Sequence, residues 1–118
     1  MKKIYHLSSC STCQRIIKDW NPGKEVVLQD IKTEKITPTQ IDEMAKLAGT
    51  YEALFSRIAL KYRKMGLHEM ELKEKDYRKY ILEEYTFLKR PVMILGDKIF
   101  VGNSKTNVAA GKNELKGN

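Results

Sequence analysis

Cysteine is scarce in this 118-residue sequence: Cys10 and Cys13 are the only two. A disulfide scaffold spreads its bridges along a chain, and so short a loop constrains the unfolded state least, so the pair does not read as a structural staple. Long apolar runs are missing too, and no stretch approaches the ~18–20 residues needed to cross a bilayer. Met1-Lys2-Lys3 mimics the charged end of an export signal, but Ile4-Tyr5-His6-Leu7 gives way to Ser8-Ser9-Cys10 far too soon. The expectation is a cytoplasmic protein in a reducing compartment, with no membrane partner. There is no internal repeat, low-complexity tract or interdomain linker. Dense basic blocks are also lacking. The 22 Lys and Arg against 15 Asp and Glu are scattered, so the net charge of +7 reads as a solvated surface that favours anions. Direct DNA binding is not expected.

What is present is an ordinary globular composition, 42% hydrophobic and 31% charged, with length for one domain around one core. A strand is predicted from Lys3 to Leu7, then a serine-rich loop and a helix beginning between Cys10 and Thr12. Cys13, Ile16, Ile17 and Trp20 share one face of that helix, and Asn21-Pro22-Gly23 stops it. Glu25 to Ile31 reads as a second, largely buried strand. Thr37-Pro38 opens a helix carrying Ile41, Met44, Ala45 and Ala48, which Gly49 ends. Another helix is predicted with Tyr51, Leu54, Phe55, Ile58 and Tyr62 on one side, broken at Gly66. A further one turns Tyr77, Tyr80 and Ile81 inward. Val92 to Leu95 and Lys98 to Val101 form a hairpin around Gly96-Asp97. A short last helix follows Asn103 or Ser104 through Ala110, with a frayed tail over about 111–118. The order β-α-β, helices, β-β-α gives an α/β, thioredoxin-like mixed four-stranded sheet with a helical insertion at about 37–88, all within one domain.

The chemistry concentrates at Cys10-Ser11-Thr12-Cys13. A thiol attacks as its thiolate, and a helix N-terminus favours that charge through its unpaired N–H groups and dipole. Cys10 sits at the predicted strand-to-helix junction, with Cys13 one turn on and facing inward. An exposed nucleophile and a sheltered resolving thiol follow. Two other readings stay open: a pair of packing cysteines, and a zinc site from His6, Cys10, Cys13 and His68, whose spacing matches no standard module. No bound metal is expected. His6 can help ionise Cys10 or serve as a polar strand residue. The helix start, with hydroxyls of Ser8, Ser9, Ser11 and Thr12, offers an oxyanion cradle that Arg57 or Arg90 could complete, each read alone being a surface charge.

These residues occur in an order that resembles the arsenate reductase (ArsC) family, which includes the Spx-type redox regulators. Ile4-Tyr5-His6 with Cys10-Ser11-Thr12 is similar to the start of the glutaredoxin-dependent arsenate reductases, and the Cys10–Cys13 doublet to the Spx branch. Leu54-Phe55-Ser56-Arg57 and Tyr62-Arg63-Lys64-Met65-Gly66-Leu67 are similar to the family's central arginine segment. Arg90-Pro91-Val92-Met93-Ile94 with Val101-Gly102 is similar to its C-terminal signature. The resemblance implies a cis Pro91 opposite Cys10, Cys10 as catalytic thiol and His6 as a histidine associated with its activation. It also implies Arg57 and Arg90 as oxyanion-binding arginines.

Three positions depart from the family pattern. Val101-Gly102 stands where a third arginine is usual, Leu7-Ser8 replaces an Asn-Pro, and Gln14 replaces an arginine. Losing one charge-assisted ligand weakens oxyanion binding. The expected activity is therefore thiol-dependent reduction of a protein disulfide or small oxyanion. No cofactor is bound, and glutathione with glutaredoxin, or thioredoxin, is the external electron donor. The alternatives are a genuine glutaredoxin-coupled arsenate reductase and an Spx-type regulator binding the RNA polymerase alpha subunit, for which Gly49-Thr50 resembles the docking region.

Overall fold

Strand β1 (Lys2–His6) lies between two neighbours in the computed structural model, which describes residues 1–117. Its chain passes through helix α1 (Ser11–Trp20) and returns as β2 (Val27–Asp30), parallel to β1 with Lys3 beside Val27 and His6 beside Asp30. On its other side β3 (Val92–Leu95) runs antiparallel, setting Met93 opposite Ile4, and β4 (Lys98–Val101) pairs with β3. The order β2-β1-β3-β4, with one parallel and two antiparallel pairings, is a thioredoxin-like mixed sheet. The β3–β4 turn uses two residues, and Gly96 supplies the positive φ of 65° that a tight hairpin needs.

Two compact units divide the chain: residues 1–35 with 90–118, and residues 36–89. In the first, Ile4, Ile16, Trp20, Val26, Met93 and Leu95 form a buried cluster, against which Ile17, Phe100, Val108 and Leu115 pack. The helical spacing of Cys13, Ile16 and Trp20 buries all three, as the sequence predicts. Asn21 ends α1 in the left-handed region, its N–H donating to the Ile17 carbonyl at 2.9 Å.

Two expectations in this unit need correction. The second strand is shorter than Glu25–Ile31 and is not largely buried, since Val27 and Leu28 are 57% and 47% exposed. It is an edge strand, and Val26, Gln29 and Ile31 take the buried places instead. The tail expected to fray from Gly111 is helical: α5 spans Lys105–Gly117, and Asn118 lies outside the described residues. Gly111 is buried because it is a point of close approach. A Cβ there would come within 2.9 Å of Met93 Cε and 3.1 Å of Trp20 Cζ2.

The second unit is helical. Thr37 caps α2 (Pro38–Ala48) reciprocally with Gln40, the two backbone-to-side-chain hydrogen bonds each being 3.1 Å. Gly49 closes it at φ 99°, a helix stop. The continuous helix expected over Tyr51 to Tyr62 is replaced by a 3-10 turn at Glu52–Leu54, an extended segment, and the short α3 (Leu60–Lys64). Phe55 is drawn out of helical geometry by a bridge to Leu88, flanked by Ser56 N–H to Phe87 O (2.7 Å) and Lys89 N–H to Leu54 O (2.8 Å). There its ring stacks on Phe87 at a centroid spacing of 5.1 Å and meets Tyr77, tilted, at 5.0 Å. Ile58 consequently points to solvent, 90% exposed. Helix α4 (Glu74–Glu83) buries Tyr77 and Ile81, with Tyr80 half-buried and edge-on to Phe87.

Candidate active site

The loop after β1 delivers Cys10 to the start of α1. Cys10 is the N-cap, with extended φ −95° and ψ 108°. Its N–H donates to Leu7 O at 3.0 Å, and its carbonyl accepts from Gln14 N at 3.1 Å. The first turn of α1 carries no acidic residue, so nothing there offsets the positive end of the helix dipole.

The two thiols are free and unequal: Cys10 is half-buried and Cys13 is fully buried. Burial pushes the Cys10 thiol up. The Cys13 backbone N–H, the Cys13 thiol and the Arg90 guanidinium act the other way, and together they hold it below its ordinary value. Cys13 is pushed up to about 11, first by burial and further by the charge on Cys10, against the lowering effect of a hydrogen bond from the Leu7 backbone. One sulfur is therefore prepared to ionise and its neighbour to stay protonated.

Arg90 reaches this pair from two residues before β3. The Arg90–Pro91 peptide bond is cis, Pro91 is buried, and its carbonyl accepts from Gly102 N at 2.9 Å. Ser11 and Thr12 occupy the first turn of α1, Ser11 exposed and Thr12 half-buried. His6 ends β1, and its Nδ1 lies 3.1 Å from Gln14 Nε2, which also donates to Leu7 O at 2.9 Å. Arg57 belongs to the helical unit, where it donates to Glu52 at 2.7 Å and to the Tyr77 hydroxyl at 3.0 Å. Cys10, Cys13 and Arg90 are thus the expected residues that act directly on one another.

Two contributors were missed in the sequence. Gln14 fixes the Leu7 carbonyl from α1. Asp30 fixes the loop from β2, accepting from Ser8 N at 3.3 Å and Lys32 N at 3.1 Å. Hydrogen bonding from Ser8 lowers the Asp30 carboxyl below its usual range. The signal for Asp30 lies in the parallel register, which sets it beside His6. Among the described residues, no three His, Cys, Asp or Glu side chains converge as a metal site requires, and His68 lies in the helical unit beside Glu69. Nor is any described helix long and apolar enough to cross a membrane.

A thioredoxin-like sheet with two unequal thiols at the first helix start defines a class of small thiol proteins. Within it, the model of the ArsC family matches residues 5–110, and the chain belongs to that family. Solved structures share the fold at low identity. The YffB (PA3664) protein superposes with a TM-score of 0.77 at 20% identity, over 94% of this chain and 98% of that one. The arsenate reductase from Vibrio cholerae gives 0.77 at 15%, over 92% and 95%. An arsenate reductase (ArsC) related protein from Brucella melitensis gives 0.69 at 22%, over 92% of each chain. No curated protein matches the chain significantly.

Proposed function

We propose that the chain is a thiol-disulfide oxidoreductase with Cys10 as nucleophile and Cys13 as resolving thiol. The observation that carries this reading is the split between the two sulfurs: one half-exposed and lowered by Cys13 and Arg90, the other buried and raised. The Cys10 thiolate attacks a sulfur of the substrate disulfide, forming a Cys10–substrate bond and expelling the first substrate thiolate. Cys10 is then neutral, which removes one of the influences holding Cys13 protonated. Cys13 loses its proton to solvent and attacks Cys10 Sγ, closing a Cys10–Cys13 disulfide and releasing the second substrate thiolate. The substrate gains two electrons and the protein loses two. An external thiol donor restores them: the dithiol of thioredoxin, or two glutathione molecules acting with glutaredoxin.

Cys10→Ser is expected to abolish turnover of a disulfide substrate, and Cys13→Ser to accumulate the mixed disulfide in mass spectra. Full turnover by the Cys10 variant rejects the reading.

The Arg90 charge at Cys10 also favours a second reading, reduction of an arsenate-type oxyanion, for which Ser11, Thr12 and the α1 N–H groups would supply further donors. A glutaredoxin-coupled assay tests it: arsenate-dependent turnover supports it, and none rejects it. The polymerase-binding alternative draws no comparable support, because Gly49 is accounted for by the end of α2.

A further inference from the structure

A groove of about 450 Å³ runs between α1 and α5. Its size falls in the lower part of the ~300–1,000 Å³ range of ligand sites. Ile16, Val108 and Ala109 give it an apolar lining. Arg15 and Lys105 stand on its rim, and its one lining carboxylate, Asp19, is neutralised by Lys112 at 2.9 Å. The lining therefore carries excess positive charge around apolar surface.

The groove also has a defined relation to the thiols. Arg15 lies on the helix that Cys10 caps. Asn103, another lining residue, follows Gly102, whose N–H holds the Pro91 carbonyl beside Arg90. The two chain segments that form the thiol site run on directly into the walls of the groove.

We propose that this groove binds an acidic, apolar-centred polypeptide segment next to the disulfide that Cys10 attacks. An apolar side chain lies against Ile16 and Val108, and flanking carboxylates face Arg15 and Lys105. That this segment is a substrate rests on the oxidoreductase reading above, whereas its binding to the groove does not.

The test separates the two. The chain holds a single tryptophan, and Trp20 Nε1 donates to the carbonyl of the groove residue Val108 at 2.9 Å. Its indole N–H signal in an NMR spectrum therefore reports on the groove. In the Cys10→Ser protein, the acetylated peptide Glu-Leu-Glu-Gly is expected to shift that signal saturably. Lys-Leu-Lys-Gly and Glu-Ser-Glu-Gly are expected to leave it in place. For the active protein, the same peptides are extended by a cysteine in mixed disulfide with 2-thiopyridine. Attack by the Cys10 thiolate joins it to the peptide sulfur and releases pyridine-2-thione, which is followed by absorbance.

At low salt the acidic peptide is expected to react about tenfold faster than the basic one, the scale of steering by a few charges. The Arg15→Glu/Lys105→Glu variant should abolish that preference while reacting normally with neutral 2,2′-dithiodipyridine. No indole shift with the acidic peptide, an equal shift with either control, or a preference that survives charge reversal overturns the proposal. If the indole signal moves but no disulfide reagent reacts, the groove stands and the oxidoreductase reading falls.

Discussion

Gln14 and His6 are tied together across the base of the thiol loop, with Gln14 Nε2 3.1 Å from His6 Nδ1. The same amide nitrogen donates to Leu7 O at 2.9 Å, and that carbonyl also accepts the Cys10 N–H at 3.0 Å. With Gln14 donating, His6 Nδ1 is the acceptor. Gln14 thus orients the loop rather than contributing charge.

Removing this bracket should loosen Cys10 without touching its sulfur. Gln14→Ala is expected to cost roughly 1 kcal/mol of stability, the usual net value of such hydrogen bonds. Gln14→Glu should cost more, because a carboxylate faces the Leu7 carbonyl with no hydrogen to give. Urea denaturation of the three proteins measures the order, and an unchanged midpoint for both variants contradicts the bracket's role.

Cys13 lowers Cys10 through its backbone N–H and its thiol. Cys13→Ala removes only the second. The Cys10 titration is therefore expected to move upward, while alkylation by iodoacetamide continues at high pH. A downward movement contradicts the hydrogen bond from the buried thiol.

Alkaline stability provides a further check on Cys13. Its folded value, about 11, lies above its ordinary value of 9.0, so over that interval the unfolded chain has lost a proton that the folded chain retains. Stability contributed by the protonated thiol is complete below about 9 and declines as pH climbs toward about 11. Denaturation midpoints across this interval should fall more steeply for the reduced wild type than for Cys13→Ala. Parallel slopes contradict the raised value.

Gly111 allows α5 to approach Trp20 and Met93. Gly111→Val adds branched bulk against the Trp20 ring and is expected to destabilise by about 1–3 kcal/mol, as overpacked cores do. Gly111→Ala should fall closer to neutral, since the gain in helix propensity, about 1 kcal/mol, opposes a contact that the Met93 methyl can relieve. Thermal melts of both variants decide. A Val variant as stable as wild type contradicts the close approach.

Much of this architecture is legible in the residues. Thr37-Pro38 with Gln40 specifies a helix start locally, and Cys13, Ile16 and Trp20 mark a buried face by spacing alone. Other features are set by distant partners. Nothing local tells Phe55 to leave a helix for a bridge to Leu88, or tells Val27 and Leu28 that they lie on an edge strand. Nor does anything local show that the tail from Gly111 stays helical, with Gly111 against Trp20. At the site, the uneven thiols follow from helix position and face. Gln14 and Asp30 do not, because their roles depend on where β1, β2 and α1 meet in three dimensions.

The direct test is a titration of the Cys10 thiolate, by ultraviolet absorbance and by iodoacetamide rate against pH, in wild type and Arg90→Leu. Cys10 should ionise below the usual ~8.5 of a free cysteine, and removing the Arg90 charge should shift the curve upward. A Cys10 that titrates at or above the free value, or is unmoved by loss of Arg90, contradicts the account.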